Sequence, residues 1–110
     1  MLKFSELKHL ENGLVPVITQ AYDTKAVLMQ AYMNEEAYNK TLETGLVHYY
    51  SRSRKCLWLK GETSGHYQHL ISFYADCDRD CLLAVVRQEG AACHTGAYSC
   101  FFEVIREEEP

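Results

Sequence analysis

Leu14-Val15-Pro16-Val17-Ile18-Thr19 is the first of two apolar runs that decide how this chain folds. The second run, Ala26 to Met33, follows the polar turn Asp23-Thr24-Lys25. Short runs of β-branched and apolar residues on either side of a polar turn are typical of paired antiparallel strands. The pattern therefore predicts a β-hairpin.

A helix is predicted directly after this hairpin. Asn34 can cap its first turn, where Glu35 and Glu36 favour the positive end of the helix dipole. Gly45 supplies the matching stop signal. The residues at helical spacing between the two ends are Ala37, Tyr38, Thr41 and Leu42. The segment should form a helix of about three turns.

Strand-like runs occupy most of the remaining chain. Leu46 to Ser51 and Cys56 to Leu59 predict one antiparallel hairpin, and His69 to Ala75 with Leu82 to Arg87 predict another. A last strand is expected over Ser99 to Ile105. The predicted fold is α+β, with a mostly antiparallel sheet and one main helix.

Length and charge narrow the class of protein. At 110 residues, the chain has the usual size of one domain, so a single domain over residues 1–110 is expected. A net charge of -4 without clustered lysines disfavours a nucleic-acid partner. No apolar run approaches the roughly 20 residues that span a bilayer, and the chain start lacks a signal-peptide core. We expect a cytoplasmic protein with no membrane partner.

Five cysteines in such a protein indicate metal binding or catalysis, because the cytosol keeps thiols reduced and an odd number cannot pair fully. Cys77, Cys93 and Cys100 fall in polar loops, and thiolates suit zinc. Three protein ligands would leave a fourth position open for water, as in catalytic sites. The alternative for each cysteine is a small buried hydrophobe, which is our interpretation of Cys56 and Cys81.

Three carboxylates alternate along the chain at Asp76, Asp78 and Asp80. In an extended strand they would share one face, with Cys77 on the other. Like charges this close are stabilised by a cation, and hard oxygen ligands suit Mg²⁺ or Ca²⁺. A solvated acidic turn is the alternative.

His94 follows Cys93 directly. It could be a fourth zinc ligand, a hydrogen-bonding partner of the ligands, or a proton carrier in catalysis. The sequence leaves these three roles open.

A glycine-bracketed turn, Lys60-Gly61-Glu62-Thr63-Ser64-Gly65, has amides, hydroxyls and an ammonium that could hold an anion. Arg52 and Arg54 could bind phosphate, unless they form only a solvated basic turn. Trp58 could stack on a base or pack in the core. The candidate substrate contacts are Arg52, Arg54, Trp58, Lys60, Thr63 and Ser64.

The order and spacing of these motifs resemble those of the phosphoribosyl-AMP cyclohydrolase family of histidine biosynthesis. The resemblance runs from about Leu14 to Phe102. The segments that carry it are Gly13 to Ile18, Met33 to Ala37, Ser51 to Arg54, Trp58 to Gly65, Asp76 to Asp80, Ala92 to Gly96 and Ser99 to Phe101.

The resemblance implies a zinc-dependent hydrolase that opens the adenine ring of 1-(5-phosphoribosyl)-AMP between N1 and C6. It implies a homodimer whose active sites lie at the interface, with zinc ligands from both subunits, and a plausible catalytic role for His94. The implied ligands are Cys77, Cys93 and Cys100 for Zn²⁺ and Asp76, Asp78 and Asp80 for Mg²⁺. The chain departs from the family at His66 and Cys81. A pyrophosphohydrolase domain, fused in some members, is not expected.

The competing hypothesis is a structural zinc module that binds a partner and catalyses nothing. In that case His94 would close the coordination sphere with the three cysteines. This hypothesis leaves the carboxylates and the Lys60–Gly65 turn unexplained, so it ranks second.

Overall fold

The computed structural model describes all 110 residues, Met1–Pro110. A short 3-10 helix precedes six strands and one α-helix. In chain order these are β1 Val15–Ala21, β2 Val27–Met33, α1 Glu35–Thr44, β3 His48–Ser51, β4 Cys56–Leu59, β5 Gln68–Ala75 and β6 Leu82–Gln88. The α+β class with one main helix is confirmed. A single domain over residues 1–110 stays a prediction.

The main sheet has four strands in the order β2-β1-β6-β5. Its two outer pairs are the predicted antiparallel hairpins. The central pair, β1 and β6, is parallel, with Val17 opposite Leu82 and Ala21 opposite Val86. Both central strands are rich in buried apolar residues, as expected for parallel strands covered by other elements. This pairing fixes β6 in the middle of the sheet.

The second sheet is the predicted hairpin of β3 and β4. Tyr49 on β3 is fully buried and links the two sheets through its hydroxyl. That hydroxyl donates to Gln68 Oε1 at 2.6 Å and accepts from Thr19 Oγ1, also at 2.6 Å. Burial raises the pKa of Tyr49, so the phenol stays protonated and able to donate. The hydrogen bonds join β3 to β1 and β5.

Helix α1 begins and ends at the two predicted residues. The Asn34 side chain accepts a hydrogen bond from the Ala37 amide at 2.9 Å. Gly45 adopts φ 75°, the left-handed conformation that glycine reaches without strain. The buried side of the helix consists of Ala37, Tyr38 and Thr41. No helix of the structure has the length and apolar character needed to cross a membrane.

The predicted last strand, Ser99–Ile105, is wrong. Only the Cys100 amide finds a backbone partner on the edge strand, the Leu28 carbonyl at 2.7 Å. The apolar side chains beyond it are all exposed: Phe101, Phe102, Val104 and Ile105. These residues do not alternate with polar ones, so they offer no single face to bury, and the segment forms no ladder of hydrogen bonds.

We predict that Asn34→Ala lowers the free energy of unfolding by about 1 kcal/mol, because the Ala37 amide loses its capping acceptor. Asn39→Ala is the matched control, since Asn39 is exposed on the same helix and makes no cap. Urea denaturation at one fixed protein concentration measures both. Identical unfolding midpoints for the two variants would contradict the capping role.

Candidate active site

A cavity of about 320 Å³ lies where the turn after β4 meets the loop after β6. Its wall brings together six of the residues singled out in the sequence: Trp58, Lys60, Thr63, Ser64, Cys93 and His94. The remaining lining residues are Gly61, His66, Ala91 and Gly96. Only three of the ten lining residues are hydrophobic, so the cavity suits a polar ligand.

The turn after β4 is held in one shape by a glycine and by a backbone hydrogen bond. Gly61 adopts φ 94°, and a Cβ there would come within 2.6 Å of backbone atoms of His66 and Tyr67. Only glycine therefore fits at this point. The Lys60 amide donates to the Val47 carbonyl at 3.1 Å. Thr63 and Ser64 are exposed beyond this anchored start.

The loop after β6 is a compact turn that holds Cys93. The Cys93 amide donates to the Ala97 carbonyl, and the Ala92 amide donates to the Tyr98 carbonyl, both at 3.1 Å. Cys93 itself is buried. His94, the next residue, is exposed at the cavity wall, where a soluble ligand could reach it.

The thiols of Cys93 and Cys100 lie next to each other and have different acidities. The Thr95 hydroxyl donates to Cys93 Sγ at 3.0 Å and lowers the pKa of that thiol. Burial, followed by a hydrogen bond with Cys93, raises the pKa of Cys100. The pair therefore ionises first at Cys93, and two soft donors converge at the edge of the cavity.

Lys60 points inward rather than into solvent. Its side chain is buried, and its ammonium donates a hydrogen bond to the Ala92 carbonyl. The ammonium also lies 5.1 Å from the centre of the Trp58 ring, within the range of a cation–π contact. Burial lowers the pKa of Lys60, whereas the nearby thiols of Cys100 and Cys93 raise it.

Arg52 and Arg54 do not line the cavity. Both are exposed, and each guanidinium lies over an aromatic ring. Arg52 lies 4.2 Å from the centre of the Tyr32 ring, and Arg54 lies 5.9 Å from that of Trp58. Trp58 is half-buried, packs against the core and lines the cavity, and its stacking on a base stays a prediction. Arg54 therefore lies over a ring of the cavity wall, whereas the ring beneath Arg52 is not part of that wall.

The three aspartates converge, but in a turn and not in a strand as the alternation suggested. Carboxylate oxygens of Asp76, Asp78 and Asp80 all lie within 4.8 Å of one another. The Asp76 carboxylate accepts from the amides of Asp80 at 3.0 Å and Cys81 at 3.3 Å. Arg79 adopts φ 62° and completes the turn. The oxygens are arranged closely enough to share one cation.

Two aspartates of this turn have pKa values that are shifted in opposite directions. Desolvation raises the pKa of Asp76, but hydrogen bonds with Asp80 and with the Cys81 amide outweigh it, so that pKa is lowered on balance. The pKa of Asp80 is raised by hydrogen bonds with Asp78 and Asp76. One proton is therefore held within the cluster at a pH where an isolated carboxyl has lost it, and a divalent cation would replace that proton.

Cys77 is not brought together with Cys93 and Cys100 in one chain. It lies in the turn before β6, whereas the other two cysteines follow β6. A strand of seven residues is roughly 23 Å long at 3.3 Å per residue. The aspartate turn and the cavity are thus at opposite ends of the strand.

Some residues behave differently from their predicted roles. Cys56 is exposed, so the prediction that it is a buried hydrophobe is wrong, because its strand β4 turns that side chain outward. Cys81 is half-buried. Thr95 and His66 were missed as site residues. For Thr95, the available signal was its hydroxyl two residues after Cys93. For His66, the signal was its departure from the family pattern.

Comparison with known proteins agrees with the motifs. The family model for phosphoribosyl-AMP cyclohydrolase matches residues 29–102, which is most of the chain. The chain belongs to the phosphoribosyl-AMP cyclohydrolase family. It is therefore an enzyme, as the sequence predicted. The assignment of zinc, magnesium and substrate contacts to particular residues of this cyclohydrolase stays a prediction.

Three relatives named phosphoribosyl-AMP cyclohydrolase illustrate the likeness. The protein of Streptococcus thermophilus is 62% identical over 98 residues, covering 89% of this chain and 88% of its own length. That of Methanocella arvoryzae is 60% identical over 95 residues, covering 86% and 80%. That of Archaeoglobus fulgidus is 58% identical over 104 residues, covering 94% and 96%. The likeness extends over both bacterial and archaeal cyclohydrolases.

We predict that Thr95→Val makes Cys93 of the reduced, metal-free cyclohydrolase roughly threefold to tenfold less reactive toward iodoacetamide at pH 7. Loss of the hydrogen bond raises the pKa of Cys93, so less thiolate is present at pH 7. The rate of alkylation therefore rises only at a higher pH than in the wild type. Mass spectrometry of the alkylated peptides measures each cysteine separately. The exposed Cys56 is the internal control, and an unchanged Cys93 rate would contradict the assignment.

Proposed function

We propose that this enzyme hydrolyses the bond between N1 and C6 of the adenine ring in 1-(5-phosphoribosyl)-AMP, a step of histidine biosynthesis. The observation that carries the proposal is the polar cavity, where Cys93 and His94 face the glycine-bracketed turn. One wall offers soft metal donors and a proton carrier, and the other offers donors for an anion. Ring opening of a phosphorylated nucleotide needs both.

Zinc fits the donor set at the cavity. Cys93 and Cys100 present adjacent sulfurs, and Cys77 is the proposed third ligand, contributed by a second copy of the chain. The lowered pKa of Cys93 favours the thiolate that zinc requires. Held by Cys93, Cys100 and the second copy's Cys77, zinc would supply the Lewis acidity that activates water.

His94 is proposed as the proton carrier of the reaction. It is exposed on the cavity wall next to a zinc ligand, so a substrate ring in the cavity lies within its reach. In the neutral state its imidazole can accept a proton from the attacking water and return one to N1 as the bond to C6 breaks. The water oxygen becomes the carboxamide oxygen at C6, so atoms and protons balance.

The phosphates of the substrate are proposed to bind at two places. Thr63 and Ser64 are exposed on the anchored turn and can donate hydrogen bonds into the cavity. Arg54 lies over the cavity-lining Trp58, Arg52 belongs to the same turn between β3 and β4, and a guanidinium can hold phosphate through two parallel hydrogen bonds. Mg²⁺ held by the aspartate turn, Asp76 to Asp80, of a second copy of the chain would neutralise further negative charge.

The proposed active unit is a homodimer that works in the reducing cytoplasm. Because β6 separates Cys77 from Cys93 and Cys100, no single chain can supply all three thiolates to one zinc ion. In a symmetric pair each chain supplies Cys77 to the other's cavity, so two equal sites form. The five cysteines are all unpaired, which suits a compartment that keeps thiols reduced.

A structural zinc module remains the second candidate. The observation that favours it is the position of His94 directly after Cys93, from which an imidazole could close the coordination sphere. This candidate predicts bound zinc without turnover. Its weakness is the cavity, which a purely structural site does not require.

The test is a zinc analysis of purified protein combined with an absorbance assay on phosphoribosyl-AMP, with and without a chelator and added Mg²⁺. We expect about one zinc per chain and turnover that the chelator abolishes. Cys93→Ala should lose both zinc and activity, because one of the three proposed zinc-binding thiolates is gone. Cys56→Ala is the matched control and should keep both, since that thiol is exposed and outside the cavity.

Three outcomes would contradict the proposal in different ways. Zinc without turnover in the wild-type protein would favour the structural module. Carefully reduced protein without zinc would overturn the metal site. Cys93→Ala retaining zinc and activity would show that the assigned residue is wrong.

A further inference from the structure

We propose that Lys60 is a positioning residue that serves as the internal counter-ion of the Cys93–Cys100 metal site, and that it does not bind a substrate phosphate. The inference rests on the proposed zinc-dependent function and deepens it. Three observations carry it: the direction of the ammonium, the absence of a carboxylate partner, and the attachment of Lys60 to the peptide that carries Cys93.

The ammonium of Lys60 is buried and already has contacts within the protein. The residue is only 8% exposed, although a phosphate ligand needs an accessible cation. One of its hydrogens is already given to the Ala92 carbonyl, and the Trp58 ring lies 5.1 Å from it. Thr63 and Ser64, by contrast, are exposed and free to meet an anion. A phosphate would have to displace existing contacts to reach Lys60.

Within its own chain, Lys60 has no carboxylate partner. The ion pairs of the structure are His69 with Glu89 and Arg106 with Glu108, and neither involves Lys60. A buried cation without a counter-charge is strongly disfavoured, so a negative group must face it. The ammonium is bonded to the peptide that leads into Cys93, and Lys60 lines the same cavity as Cys93. Burial disfavours its charge, whereas the thiols of Cys100 and Cys93 favour it. Their sulfurs are therefore the counter-charge that a single chain provides.

The net charge of the zinc-bound site also supports Lys60 as its counter-ion. Three thiolates around one Zn²⁺ carry a net negative charge, and the buried ammonium beside two of them offsets it. Without this cation, excess negative charge would remain in a partly buried site facing a phosphorylated substrate. Lys60 thus favours both metal retention and the approach of the nucleotide ring.

Lys60 also fixes the position of the ligand loop. The Ala92 carbonyl that accepts its hydrogen bond belongs to the peptide whose nitrogen is that of Cys93. The other end of the contact is rigid, because the Lys60 amide is bonded to Val47 and the next residue, Gly61, fits only without a side chain. The side chain therefore ties the β4 turn to the loop that carries the metal ligand.

The experiment compares Lys60→Met, which removes the charge and the donor, with Lys60→Gln, which keeps a donor but no charge. Lys60→Arg keeps the charge. Zinc affinity is measured by competition with a chromogenic chelator, and kcat and KM are measured on phosphoribosyl-AMP. Lys40→Met is the matched control, since Lys40 is exposed on α1 and outside the cavity.

We expect Lys60→Met and Lys60→Gln to lose zinc affinity by about tenfold to a hundredfold. Their kcat should fall, while KM changes by less than about twofold. Lys60→Arg should retain more zinc affinity than Lys60→Gln, and Lys40→Met should match the wild type. If circular dichroism shows that Lys60→Met does not fold, the comparison of the Gln and Arg variants decides the question.

A large rise in KM with unchanged zinc affinity would overturn the inference and make Lys60 a phosphate ligand. Equal zinc affinity in the Gln and Arg variants would overturn the role of the charge. A wild-type protein that holds no zinc would instead overturn the proposed function, and this inference with it. A zinc-loaded, active wild type with an unaffected Lys60→Gln variant would overturn the inference alone.

Discussion

The length of strand β6 is the constraint on which the functional architecture depends. The aspartate turn and Cys77 come before this strand, and Cys93 follows it. The strand lies in the middle of the sheet, bonded to β1 on one side and β5 on the other, so it cannot bend to bring its ends together. Each chain therefore displays two incomplete halves of the proposed catalytic apparatus. A second copy is the simplest way to join them.

The cavity itself is built from loops that are rigid because of what anchors them. The turn after β4 is fixed by the tight approach of Gly61 to the backbone, and the loop after β6 by its internal hydrogen bonds around Cys93. Below them, the buried hydroxyl of Tyr49 joins the two sheets. Loops mounted on such a scaffold can hold reactive groups in fixed positions while remaining accessible to a ligand.

The local elements of the fold were predictable because their signals are local. The two runs around Asp23–Lys25 and the capped segment from Asn34 to Gly45 carry their own turn, cap and stop residues. The parallel pairing of β1 with β6 was not predicted, because it joins segments more than 60 residues apart and leaves no periodic signature. The run after Ser99 looked like a strand by composition, but its apolar residues do not alternate with polar ones, and only the Cys100 amide bonds to the edge strand β2.

The candidate site was likewise predictable in its local features and not in its long-range ones. The residue types and their spacing indicated the aspartate turn and the cysteines, yet the carboxylates meet through a turn around Arg79 and not through strand alternation. The inward direction of Lys60 could not be read from a motif that looked like an anion-binding turn, because burial is decided by distant residues such as Ala92. The separation of Cys77 from Cys93 also became evident only with the strand between them in place.

The most direct test of this account is complementation between two inactive variants. Cys77→Ala and Cys93→Ala are unfolded and refolded together in equal amounts, and activity and zinc content are compared with those of each variant alone. Half of the resulting dimers are mixed, and each mixed dimer carries one intact site of two, so about a quarter of wild-type activity is predicted. A mixture as inactive as its components would contradict a site shared between two chains.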